Sequence, residues 1–184
     1  MEMRAWFVPR AFRSRDLRSF SAFANVQTLT FQHLDISLFI PGIKRYFGHF
    51  APALRSLTLL VPCCTPRQLS HFLSLFPNLD DIMIWHTPTP PPNTTIPDTK
   101  LVPFSTPRLR GRLVLYYYDS VETWTPLIAS GGGLRFRFMD LCRIRDSVPV
   151  LLEACAETLE TLRFCTTGSP IGEWFSMGLS TVSS

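Results

Sequence analysis

The sequence predicts an α/β fold in which strand–helix units stack into a curved parallel sheet of about six strands, with helices on the convex face. Three observations lead there. Six segments open on an apolar anchor, Val26, Leu54, Leu79, Leu109, Leu134 and Leu159, spaced 28, 25, 30, 25 and 25 residues apart. The first, second, third and sixth follow apolar-x-x-apolar-x-apolar. A short strand makes that pattern when its alternate side chains face a helix layer. Between the segments lie stretches of helical periodicity. A repeat of about 20–29 residues with this signature is that of leucine-rich repeats. The expectation is therefore a leucine-rich-repeat-like solenoid rather than a doubly wound sheet, whose helices would cover both faces.

Each element has its own signal. The first three strands are expected around Val26–Phe31, Leu54–Leu59 and Leu79–Ile84, and the last around Leu159–Phe164. The fourth reads Leu109-x-x-x-Leu113-x-Leu115 on the way to Tyr118, one residue too long, which implies a bulge. The fifth alternates as Leu134, Phe136 and Phe138 with arginines between, and its register is left open. Thr65-Pro66 is an N-cap followed by proline at the first helical position. Leu69, Phe72, Leu73 and Phe76 then form one apolar face. Ser147 is expected to cap a helix carrying Val150, Leu151, Ala154 and Cys155. Pro41-Gly42 splits a third helical stretch and leaves Ile43–Phe50. Val121–Ala129 is a fourth, disturbed by Pro126.

Hydrophobic residues make up 46% and charged residues 17%, which excludes a disordered chain. No apolar run is long enough for a membrane span. The domain reading is a basic lead-in over 1–20, a repeat domain over 21–168 and a tail or partial cap over 169–184. The lead-in holds Arg4, Arg10, Arg13, Arg15 and Arg18. It reads as a solvated entry to the first repeat, with a mitochondrial transit peptide as the alternative. The Pro-rich segment 87–103 reads as an exposed loop inserted between repeats three and four. Five cysteines show no zinc or disulfide spacing, so reduced thiols in the cytoplasm or nucleus are expected.

Two runs carry a family resemblance. Arg45-Tyr46-Phe47-Gly48-His49-Phe50-Ala51-Pro52-Ala53-Leu54-Arg55-Ser56-Leu57-Thr58-Leu59 is one. Thr65-Pro66-Arg67-Gln68-Leu69 through Leu75-Phe76-Pro77-Asn78-Leu79-Asp80-Asp81 is the other. Both resemble the F-box and leucine-rich-repeat-like proteins of mushroom-forming fungi, over roughly residues 20 to 168. The resemblance implies repeats that hold a substrate for a cullin-based ubiquitin ligase. The residues before Val26 carry no F-box-like Leu-Pro-x-Glu start, so direct docking on the ligase linker subunit is not expected. A truncated paralogue without function is one alternative.

The sequence carries no motif for catalysis. Phosphate-loop, dinucleotide and nucleophile-elbow motifs are missing from the sequence. Gly131-Gly132-Gly133 precedes a strand, the wrong setting for a phosphate loop. His33, Asp35 and His86 read as turn residues near the sheet rim. Asp80 and Asp81 point to opposite faces of a strand, and Cys63-Cys64 with His71 lacks an orienting group. No enzyme activity, cofactor or metal is expected.

The face turned away from the helices is where a partner would bind. It is expected to be small and polar at one end, with Thr28, Thr30, Ser56 and Thr58. At the other it carries Met83, Trp85, Tyr116, Tyr118, Arg135, Arg137 and Arg163, residue types that dominate binding hot spots. Tyr116 and Tyr118 have a second reading as packing residues. The stripe suits a protein partner with acidic and apolar groups, or a phosphorylated peptide. Arg108, Arg110 and Arg112 alternate beside aromatics, so single-stranded nucleic acid is the other binding alternative. The modest net charge of +4 does not favour it.

Overall fold

The computed structural model describes residues 2–6, 25–85, 101, 105–129, 133–165 and 174–178, with the backbone alone at 2–6, 41 and 174–178. Among the described residues eight strands form one sheet in sequential order: β1 (Glu2–Trp6), β2 (Thr28–Gln32), β3 (Ser56–Leu60), β4 (Asp81–Trp85), β5 (Arg112–Tyr116), β6 (Phe138–Cys142), β7 (Thr161–Cys165) and β8 (Trp174–Gly178). β1 to β7 are parallel, and β8 runs antiparallel on β7. Six strands were expected. The other two, β1 and β8, lie in the stretches read as lead-in and tail. The Pro-rich stretch, apart from Leu101, and His86 lie outside the described residues.

Among the described residues four α-helices lie in the crossovers: α1 (Ile43–Phe47), α2 (Pro66–Leu73), α3 (Val121–Leu127) and α4 (Ser147–Cys155). α2 packs on α3, and α3 on α4, so the helices form one layer. None is long and apolar enough to cross a membrane. Strands β2, β3 and β4 alternate buried and half-buried residues without a break. On these strands one sheet face therefore meets the helices, while among the described residues no helix lies on the other, called the open face below.

The core lies between sheet and helices. Leu29, Phe31, Leu57, Leu59, Ile82, Ile84, Leu113, Leu115, Met139 and Leu141 are all buried there. Burying each such side chain is worth about 1.5–3 kcal/mol. Phe31, Phe47, Phe50, Phe72 and Phe76 form a run of mostly edge-to-face contacts, with centroids 5.2–6.4 Å apart. The six anchors read from the sequence are each at most 3% exposed.

A second repeat is written in the backbone. The N–H groups of Arg55 and Ser56 both donate to the Gln27 carbonyl, and those of Asp80 and Asp81 to that of Arg55. Arg137 and Phe138 repeat this on Gly111, and Glu160 and Thr161 on Arg137. Just past the strands, His33, Val61, Tyr117 and Arg143 have φ of 54–57°. Each donates its N–H to the next strand's last carbonyl, on Leu60, Trp85, Cys142 and Cys165 respectively.

Repeats four and five show why their registers were hard to read. In repeat four, Leu109 takes φ 43° and absorbs the extra residue while staying buried. The Arg112 N–H is diverted to Asp81 Oδ1, 2.7 Å away. A Cβ on Gly111 would collide with that carboxylate. In repeat five the strand begins at Phe138, and the working pattern is Phe136-x-x-Met139-x-Leu141. Two helix details also change. α1 ends at Phe47 rather than Phe50. Ser147 does not cap α4: it is the first helical residue, after Asp146 at the N-cap, and its N–H donates to Asp119 Oδ1 of the preceding repeat at 2.7 Å.

Candidate interaction face of the sheet

The in-register strands line up three rows on the open face. One row runs Thr28–Ser56–Asp81 and continues as Arg112–Phe138–Thr161. The middle row is Thr30–Thr58–Met83–Val114–Asp140–Arg163, and the last is Gln32–Leu60–Trp85–Tyr116–Cys142–Cys165. The expected asymmetry is present. β2 and β3 contribute small polar groups, and β4 to β7 contribute aromatics and charge.

Trp85 and Tyr116 are register partners, and their rings stack at 4.8 Å between centroids with 21° between planes. Both remain half-buried, as does Met83 beside them. Tyr116 has its phenol pushed up from the usual value, chiefly by burial and then by Cys142 and Asp140. Tyr118 is elsewhere. The positive φ of Tyr117 turns the chain just after β5, so Tyr118 falls on the helix side at 6% exposure. Its hydroxyl lies 2.5 Å from Thr123 Oγ1, which donates on to the Pro66 carbonyl at 3.2 Å. Burial, above all, raises its pKa. Tyr118 is thus a core residue and leaves the candidate face.

Arg135 and Arg137 also lie off the face, because they precede β6. Arg137 Nε donates to Glu160 Oε1 at 2.7 Å. With Arg110, Arg135, Glu157 and Thr158 the pair lines a shallow hollow at the edge where the chain enters the strands. Arg108 and Arg110 lie before β5, and Leu109 interrupts their alternation, so they share no strand face with Arg112.

Arg163 stands where it was expected, and its surroundings were missed. Asp140, with a side chain 6% exposed, sits between Arg112 and Arg163. Arg112 donates Nε to Asp140 Oδ2 at 2.8 Å and places a terminal nitrogen on the same oxygen. Arg163 Nε is 3.9 Å from Oδ1. The two arginine side chains are about half exposed, at 53% and 48%. A carboxylate so enclosed needs a charged partner to offset its desolvation, and Arg112 supplies it. Phe138, 41% exposed, and Thr161 complete the hollow. Phe136-x-x-Met139-x-Leu141 was the signal available for Asp140, since it obeys the same rule as the other repeats. The alternation Leu134-Phe136-Phe138 masked it.

Cys142 and Cys165 are register neighbours in the last row, both buried. Burial first, and Cys165 second, push the Cys142 thiol up to about 11. Such a thiol packs rather than reacts at neutral pH. Cys63 is also raised, by burial and by Asp35, the wrong direction for a nucleophile. Asp35 accepts from the Ser37 N–H at 3.1 Å, Asp80 pairs with Arg55 at 3.6 Å, and Asp81 holds Arg112. Among the described residues no group of three or more His, Cys, Asp or Glu can hold a metal ion.

The face therefore offers a stacked aromatic pair and two half-exposed guanidiniums braced by one enclosed carboxylate. That arrangement suits binding through apolar contact and charge-assisted hydrogen bonds. No protein-family model, no curated protein and no solved structure matches the chain, so this reading rests on its own residues.

Proposed function

We propose that the chain is a leucine-rich-repeat-like solenoid that works as a non-catalytic protein-interaction module, taking its partner on the open face of the sheet. The role resembles that of the substrate-recognition repeats of F-box proteins. The observation that carries the reading is the grouping of Trp85, Tyr116, Phe138, Arg112 and Arg163, all half-buried or exposed, on the sheet face turned away from the helices. Trp, Tyr and Arg anchors set on such elements are the usual source of binding energy at protein interfaces.

Panning a random peptide library on the immobilised full chain tests it. Selected peptides should lose about tenfold or more in affinity on Trp85→Ala and bind Arg67→Ala, on the helix side, as tightly as the native chain. Equal binding to both variants would overturn the reading. Retention of single-stranded oligonucleotides with a steep salt dependence, and of no peptide, would replace it with the nucleic-acid alternative.

A further inference from the structure

We infer that the hollow between Arg112 and Arg163 recognises one carboxylate, the side chain of an acidic residue in an extended segment of a protein partner. The inference rests on the reading that the open face binds protein. The hollow is about 250 Å³ and is lined by Arg112, Phe138, Asp140, Thr161 and Arg163. Arg112 commits Nε and one terminal nitrogen to Asp140, which leaves its other terminal nitrogen uncommitted. Arg163 approaches Asp140 only at 3.9 Å, beyond hydrogen-bond length. Among the described residues its guanidinium has no closer acceptor, which leaves donors for a ligand. Planar guanidinium forks match carboxylate geometry.

Charge selects the ligand class. Around the hollow itself two guanidiniums face one carboxylate, Asp140, for a formal net charge of +1, while Asp81 holds the Arg112 N–H from β4, on the far side of Arg112 from Arg163. One incoming carboxylate brings the cluster to neutrality. A phosphate dianion would overshoot and repel Asp140, which is too enclosed for solvent to screen. The face also sets the ligand's length. Arg112 and Tyr116 are the two ends of β5, on the same face, and four residues of strand span about 13 Å. A segment lying along β5 thus places an acidic side chain at Arg112 and Arg163, and an apolar side chain four residues away on the Trp85–Tyr116 stack.

The test uses the 15N-labelled full chain and reads its arginine Nε–Hε signals. The probe is acetyl-Glu-Gly-Ser-Gly-Leu-amide, compared with versions carrying Gln or phosphoserine in place of Glu. The Glu peptide should shift the Arg112 and Arg163 signals saturably. The Gln peptide should bind about tenfold more weakly, the loss expected for a charge-assisted pair. The phosphoserine peptide should bind no tighter than the Glu peptide. Arg163→Gln should weaken the Glu peptide about tenfold and Arg135→Gln should leave it unchanged. Asp140→Asn adds one net positive charge and should reverse the preference towards phosphoserine.

Equal binding of the Gln and Glu peptides, tighter phosphoserine binding to the native chain, or no saturable shift at the two arginines would overturn the inference. Were library peptides still lost on Trp85→Ala, the interaction module would stand and only the carboxylate site would fall.

Discussion

Asp119 shows how a single residue ties one repeat to the next. Its Oδ2 accepts the N–H groups of Arg145 and Asp146 at 2.5 and 2.8 Å, and its Oδ1 accepts that of Ser147 at 2.7 Å. The Ser147 N–H is one of the donors a helix start leaves open, and it is satisfied here from the preceding repeat together with the two N–H groups that lead into the helix. Partial burial pushes the carboxyl up, but the three backbone bonds outweigh it and hold the pKa below the ordinary 3.8. A group with a depressed folded pKa contributes stability above its unfolded value, and that contribution fades as pH falls through the folded one. Asp119→Ala should therefore cost about 1–2 kcal/mol in urea unfolding at pH 7. The gap from the native chain should narrow steadily below about pH 4. A gap of constant size down to pH 2 would contradict the assignment. Tyr118→Phe makes the complementary case: it should cost about 1 kcal/mol through the lost Thr123 bond and leave the affinity of any open-face ligand unchanged. Neither role was legible in the sequence. Asp119 acts across 26 residues or more. Tyr118 continues an apparent alternation that Tyr117, with its positive φ, breaks.

Among the elements, α2 was the most legible because its signals are local. Thr65 accepts from the Gln68 N–H at 3.2 Å, Gln68 returns Oε1 to the Thr65 N–H at 3.0 Å, and Pro66 opens the helix. The strands with the full apolar pattern were also readable, since alternation fixes which residues face the helices. β5 and β6 were not, because both depend on backbone detail. The extra residue in repeat four is absorbed at Leu109, and β6 starts three residues after Arg135 rather than around it. Gly111 is the element-scale test. A side chain there would displace Asp81 and release the Arg112 N–H, so Gly111→Ala should cost about 1–3 kcal/mol and speed amide exchange at Arg112. Unchanged exchange at that amide would show that the β4–β5 junction tolerates a Cβ.

At the scale of the molecule, a sequentially ordered sheet with its described helices in one layer turns its other face away from them. The sequence foresaw that division, and it foresaw Met83, Trp85, Tyr116 and Arg163 on the open side. It misplaced Arg135 and Arg137 by the register of one strand, and with that slip it lost Asp140, the residue that organises the two arginines. A register error of this kind exchanges the residues on every face position of its strand, which is why the candidate site was less legible than the fold. Hydroxyl-radical footprinting of the full chain, with and without the tightest library peptide, shows whether the ligand lies on the open face of the sheet. Protection of Met83, Trp85, Tyr116 and Phe138, with Arg67 and Glu122 on the helix side unchanged, is the predicted result. Protection confined to the helix side would contradict it.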